Sequence, residues 1–244
     1  MGTCNEARGY LNFSMHSDFI PGSSGNRRGF PQKTIESMKP SPRIFVYKMT
    51  TDNGGAPCVH NEILSLAICK PKIRGTANAG DWVIGVGGKR LGKGVIYVAR
   101  VSKAVGVEYY INRKFATRPD CIYRRTGSGE LVRKAGAQYH EAPGNRYHDV
   151  GSAPKYRRAR VLWCKEFRYF GENREPIPVR LREFITSIGR GHRVNLSTAV
   201  HKSLVSFIRT VQAKYRKRIL GKSIEKPSGS SRCNTDHGSA EVCR

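Results

Sequence analysis

Three regimes of hydrophobic and polar patterning follow one another along this chain. Residues 1–41 show no sustained period: Gly, Ser, Asn and Arg mix with three prolines, as in Pro21-Gly-Ser-Ser-Gly-Asn-Arg-Arg28. A stretch without an apolar face cannot bury enough surface to offset its ordering entropy, so it reads as a disordered leader. From Arg43 onward, short dense apolar runs take over. Arg43 to Met49 is rich in β-branched and aromatic residues, and Trp82 to Val86 and Gly94 to Val101 are near-continuous apolar runs joined by Gly87-Gly-Lys-Arg-Leu-Gly-Lys93. These predict three strands, the last two forming a hairpin with a basic glycine loop. Further strands are expected at Cys121 to Arg125 and Ala159 to Phe170. Asn61 to Cys69 carries apolar residues at 63, 64, 66, 67 and 68 and suits a short buried helix or a strand equally.

The last third changes to a helical period. Leu181, Phe184, Ile185 and Ile188 recur at i, i+3, i+4 and i+7, with Pro178 at the expected first helical position and Gly189 as the stop. A longer helix follows, capped by Asn195, with an apolar stripe of Leu196, Val200, Leu204, Phe207, Ile208, Val211 and Tyr215. Its last turn places Lys214, Arg216, Lys217 and Arg218 on the negative end of the helix dipole, before Gly221. Residues 222–244 return to the composition of the leader and read as a disordered tail. The expected architecture is one α+β domain over residues 42–221, a twisted, mostly antiparallel sheet with two C-terminal helices packed on it.

Charge adds a partner to this picture. The 244 residues hold 44 Lys plus Arg against 18 Asp plus Glu, a formal charge of +26, and residues 42–215 alone hold 32 basic and 12 acidic side chains. The excess belongs to the folded region and points to a polyanion, nucleic acid first; the plain alternative is a basic surface that only solubilises. No stretch reaches the ~18 consecutive apolar residues of a membrane span, and the first residues lack a signal sequence. A cytoplasmic protein with no membrane partner is expected. Seven cysteines, at 4, 58, 69, 121, 164, 233 and 243, include no C-x-x-C pair and fit free thiols in a reducing compartment. Cys58, His60, Cys69, Cys121, His140 and His148 match no tetrahedral ligand spacing, so neither a metal nor another cofactor is expected.

The densest candidate chemistry lies in Asp52-Asn-Gly-Gly-Ala-Pro-Cys58-Val-His60. Asn53-Gly54 alone is a good hairpin turn, because it accepts positive φ cheaply. A carboxylate, an amide, a thiol and an imidazole around so bare a backbone are also what a ligand site needs. Gly87 to Gly94 imitates a phosphate-cradling P-loop but has Gly94 where Ser or Thr should bind magnesium, and a strand follows instead of a helix. It reads as a cationic turn facing a nucleic-acid backbone, or as a solvated hairpin. Gly189-Arg190-Gly-His192-Arg193 precedes the long helix and is a second phosphate candidate. Tyr123-Arg-Arg125 and Tyr156-Arg-Arg-Ala-Arg160 interleave rings with cations. His140 and His148-Asp149 fall in a polar, Gly-rich stretch expected to be a long loop that closes over a site.

Ile44-Phe-Val-Tyr-Lys-Met-Thr-Thr-Asp-Asn-Gly-Gly-Ala-Pro-Cys58, Leu66-Ala-Ile-Cys-Lys70-Pro71-Lys-Ile-Arg74, Gly80-Asp81-Trp82, Arg118-Pro-Asp120, Phe167-Arg-Tyr-Phe-Gly171 and Arg190-Gly-His192 resemble the nucleotide modification associated domain 2 family of bacteria and phages. The resemblance covers about residues 42–215 and implies a role in making or handling hypermodified DNA bases. More loosely, Gly80-Asp81-Trp82 with Val95-Ile-Tyr-Val-Ala-Arg-Val101 is similar to the PUA-like group, which includes modified-base readers and implies a β-barrel. On this reading a nucleic-acid-binding protein accepts a modified base in a pocket of Tyr47, Asp52, Asn53, Gly54, Gly55, Cys58, His60 and Trp82. Trp82 or Tyr47 stacks on the base and Asn53 pairs with its edge. Phosphates fall to Lys70, Arg74, Lys89, Arg90, Lys93, Arg190, His192 and Arg193. The alternative is an enzyme that tailors or removes a base modification, with Asp52 as base or nucleophile and Cys58 or His60 as its partner. A third option is a basic RNA- or ribosome-associated protein without base selectivity.

Overall fold

The computed structural model describes residues 41–189 and 191–228. The expected leader, Arg190 and the chain beyond 228 lie outside the described residues. Strand β1 (Ile44–Met49) sends Phe45, Tyr47 and Met49 into one apolar cluster and Ile44 and Val46 into another on the opposite face. Burial on both faces is why its sequence reads as a continuous apolar run rather than an alternating one. The chain then leaves this sheet, forms β2 (Cys58–His60), β3 (Ile63–Leu66) and α1 (Pro71–Thr76), and returns as β4 (Trp82–Gly87) parallel to β1. A parallel neighbour requires such a crossover.

β5 (Val95–Arg100) pairs antiparallel with β4 as the apolar runs predicted, and continues past Ser102 into β6 (Lys103–Val105). An insertion follows with α2 (Glu108–Ile111), the hairpin of β7 (Tyr123–Arg125) and β8 (Leu131–Arg133), and α3 (Pro143–Val150). Then come β9 (Val161–Cys164), β10 (Glu166–Tyr169), α4 (Val179–Ser187), β11 (His192–Arg193) and α5 (Thr198–Lys214). The strands assemble as a mixed sheet of order β10-β5-β4-β1-β11 and an antiparallel sheet of order β2-β3-β9-β6 beside the small hairpin. Leu181, Ile185, Leu204, Phe207, Ile208 and Val211 of α4 and α5 cover the face of the first sheet that carries Ile44 and Val46.

The architecture is mixed α+β, and among the described residues no sheet closes into a barrel. The run from Ala159 to Phe170, expected as one strand, is two strands in different sheets. Ser102 and Lys165 mark the crossing: Ser102 N–H donates to Trp163 O, and Lys165 N–H donates to Ser102 Oγ. Apolar residues on both sides of this bend conceal it from any periodicity count. The stretch expected as a loop around His148-Asp149 is helical, since Pro143 begins α3 where its missing N–H has no cost. Ser197, not Asn195, caps α5 by accepting from Val200 N–H. No helix among the described residues is long and apolar enough to cross a membrane.

Candidate functional site

β3 ends at Leu66, and the turn Ala67 to Lys70 leads straight into α1. Cys69 and Lys70 both take positive φ, 57° and 44°, a conformation that L-residues adopt only when the surroundings enforce it. Arg74 supplies that enforcement. Its side chain is wholly buried, with Nε–H donating to Cys69 O, NH1 to Arg158 O and Arg160 O, and NH2 to Asp149 O. A planar fork of donors thereby ties the Cys69 turn to the end of α3 and the loop after it.

The tie brings three chemically active side chains into series. His140 Nε2 lies 3.2 Å from Cys69 Sγ, and His140 Nδ1 lies 2.5 Å from Asp149 Oδ2. Asp149 is fully buried. Its Oδ2 also accepts from the Tyr123 hydroxyl at 2.7 Å, and its Oδ1 accepts from Cys69 N–H at 2.9 Å. A carboxylate can only accept, so the proton between them sits on Nδ1. Cys69 is disulfide-bonded in the structure and partly exposed, unlike the other described cysteines, which are buried. Burial pushes the thiols of Cys58 and Cys121 up, and that of Cys164 to about 12, so these three hold their protons.

Cys69, Lys70, Tyr139 and His140 line a recess together with Tyr47, Met49, Thr50, Thr51, Asn53 and Gly55. Its cavity measures about 30 Å³, room for about two water molecules. A small substituent on a ring can enter it. Gly54 has φ of 83°, which turns the chain back so that Gly55 N–H donates to Asn53 Oδ1 at 3.2 Å. That bond fixes the carboxamide. Asn53 is only 6% exposed, and its Nδ2 has no hydrogen-bond partner among the described residues. A buried donor in that condition costs about 1–3 kcal/mol.

Of the residues expected in a base pocket, Tyr47, Asn53 and Gly55 line the recess and Gly54 shapes it. Tyr47 is fully buried, with its hydroxyl against Tyr97 and Lys70 Nζ 4.9 Å from its ring centroid. Trp82 packs with the opposite apolar cluster, on the helix-covered face of the first sheet. Asp52, Cys58 and His60 do not line the recess. Asp52 accepts from Tyr169 at 2.9 Å on both oxygens and from Ile224 N–H, while Glu225 N–H donates to Asp52 O. The Asp52 carboxylate and backbone carbonyl therefore anchor residues 224 and 225, within the stretch expected to be a tail; the carboxyl is the titrating group. Burial raises it to about 6 against the pull of Tyr169 and Ile224. Cys58 pairs with Ser65 beside a buried clamp in which Arg118 donates to Cys58 O, His60 O and Ser65 Oγ. Asp120 completes the clamp by accepting from Ser65 and Tyr109.

Among the expected phosphate ligands, Lys70 lines the recess. Arg90 stands at its rim, donating to Thr50 O and pairing with Glu225 at 2.8 Å. Arg74 uses its donors on backbone carbonyls instead. Lys89 and Lys93 flank the turn before β5, and His192 and Arg193 form β11, where His192 pairs with Tyr47. Among the described residues no group of three or more His, Cys, Asp or Glu side chains is placed to hold a metal ion. The sequence reading did not assign Cys69, Tyr139 and Asp149 to the site. The usable signal was the Ile68-Cys69-Lys70-Pro71 junction, where an apolar run meets a helix-starting proline.

The family model for nucleotide modification associated domain 2 matches residues 41–228. No curated protein and no solved structure matches the chain.

Proposed function

Since the chain belongs to the nucleotide modification associated domain 2 family, we propose that it binds nucleic acid, DNA carrying modified bases in particular, and reads a base through a substituent that enters the recess. The observation that carries this reading is the buried Nδ2 donor of Asn53, which has no partner among the described residues. An acceptor oxygen on the substituent restores the missing hydrogen bond, so the recess favours hydroxymethyl, acyl or similarly oxygenated groups over a bare ring edge. On this reading the ring stays at the mouth while its appendage enters. Lys70 and Arg90 bring positive charge to that mouth, and the +26 of the whole chain supplies affinity that is independent of sequence.

Fluorescence anisotropy with matched oligonucleotides, one bearing a single 5-hydroxymethylcytosine and one cytosine, tests the reading. The modified strand is expected to bind about 5- to 30-fold more tightly, and Asn53→Ala is expected to abolish the difference. Equal affinity for both strands, unaltered by Asn53→Ala, contradicts it. Equal binding of RNA and DNA, indifferent to modification, favours a ribosome- or RNA-associated role instead.

A further inference from the structure

The recess also holds a sulfur, an imidazole and a carboxylate in series, and we infer that the protein is a hydrolase of acylated nucleotides whose covalent nucleophile is Cys69. The substrate class rests on the nucleotide reading above; the chemistry rests on the recess alone. Cys69 sits at a strained strand-to-helix turn that projects its side chain into the recess, the placement a nucleophile requires. The 3.2 Å approach of His140 Nε2 puts a base on the sulfur, and the buried Asp149 carboxylate at 2.5 Å from Nδ1 orients the ring. Tyr123 and Cys69 N–H hold Asp149 in turn. A thiol-imidazole-carboxylate relay attacks trigonal carbon, and the carbonyl of an acyl side group supplies one.

Attack by Sγ on the carbonyl carbon transfers the thiol proton to His140 Nε2 and moves the carbonyl electron pair onto oxygen. The Cys69 N–H that often serves a developing oxyanion is already engaged by Asp149. We assign the oxyanion to Asn53 Nδ2, a donor of the recess lining that has no partner among the described residues. Collapse breaks the bond to the nitrogen or oxygen of the nucleotide, which departs with the proton from Nε2. Water then attacks the thioester, giving its proton to Nε2, and the carboxylic acid leaves as sulfur recovers that proton. The net reaction consumes one water and releases one acid. Because Cys69 is disulfide-bonded in the structure, a thiol reductant must first supply two electrons to return it to the thiol.

The full chain, reduced with dithiothreitol and desalted, is the material for the test. In limiting iodoacetamide, peptide mapping is expected to show Cys69 alkylated about tenfold or more faster than Cys58, Cys121 or Cys164. His140→Ala is expected to slow Cys69 alone by about tenfold or more. Incubation with p-nitrophenyl acetate followed by acid quench is expected to leave an acetyl group on Cys69. Asn53→Ala separates the steps: alkylation makes no oxyanion and keeps its rate, whereas acetylation slows by about 100-fold. Cys69 reacting no faster than the buried thiols, or forming no thioester, overturns the inference, and the first of these measurements needs no variant. DNA binding with no adduct at Cys69 overturns the covalent chemistry alone. An adduct with no DNA binding, and no deacetylation of an oligonucleotide containing N4-acetylcytosine, overturns the nucleotide substrate alone.

Discussion

Asn53 and Asp52 are neighbours with opposite roles, and each predicts a distinct measurement. The Asn53 side chain accepts one hydrogen bond, from Gly55 N–H, and its Nδ2 donor is buried with no partner among the described residues. Losing the first costs stability and losing the second recovers it, so Asn53→Ala is expected to change unfolding free energy by no more than about 1 kcal/mol. Urea denaturation checks this, and a larger loss would mean the amide is structural rather than ligand-facing. Asp52, raised to about 6 by burial, holds more protons in the folded than in the unfolded chain between about pH 4 and 6. Its contribution to stability is therefore present at low pH and lost as pH rises through that window. Relative to wild type, Asp52→Asn should gain up to about 3 kcal/mol between pH 4 and 7. A difference that does not vary with pH would show that the carboxyl titrates normally.

At the scale of elements, Arg74 and Gly85 carry the arrangement that the site depends on. Four backbone carbonyls from three segments converge on the buried Arg74 guanidinium. Arg74→Met is expected to cost about 3–5 kcal/mol in denaturant unfolding, and Arg74→Lys is not expected to restore it, because a point cation cannot bridge a planar fork. A Cβ at Gly85 would lie 2.3 Å from Tyr97 Cε1 and 2.6 Å from Met49 Sδ, so Gly85→Ala should lower stability by about 1–3 kcal/mol. β1, β4 and β5 and the two C-terminal helices were legible in sequence because burial dictates their apolar runs and stripes. The split of Ala159 to Phe170 was not, since both halves are apolar and only a turn at Lys165 separates them. Half of the site was equally legible: Asn53, Gly55 and Lys70 stand in a glycine-rich loop and beside a proline. Asp149 escaped because its partners lie 80 residues away at Cys69, 26 away at Tyr123 and 9 away at His140, and no local spacing encodes such convergence. Arg74 misled for the opposite reason: its charge suggested a phosphate, but its burial commits it to carbonyls.

In the whole molecule a cationic domain carries a recess that we propose takes the appendage of a nucleobase. Binding to DNA should weaken linearly in log salt, by about 0.9 in slope for each phosphate contacted. Lys70→Ala is expected to reduce that slope by about 1 while leaving the preference for a modified base intact, as salt titrations of the two oligonucleotides will show. The most direct test of the central claim is a crystal structure of the reduced protein with a short oligonucleotide carrying 5-hydroxymethylcytosine. The account predicts the hydroxymethyl oxygen within about 3 Å of Asn53 Nδ2, with the ring at the mouth and the strand passing Lys70. A strand bound on the helix-covered face beside Trp82, with the recess untouched, would contradict it.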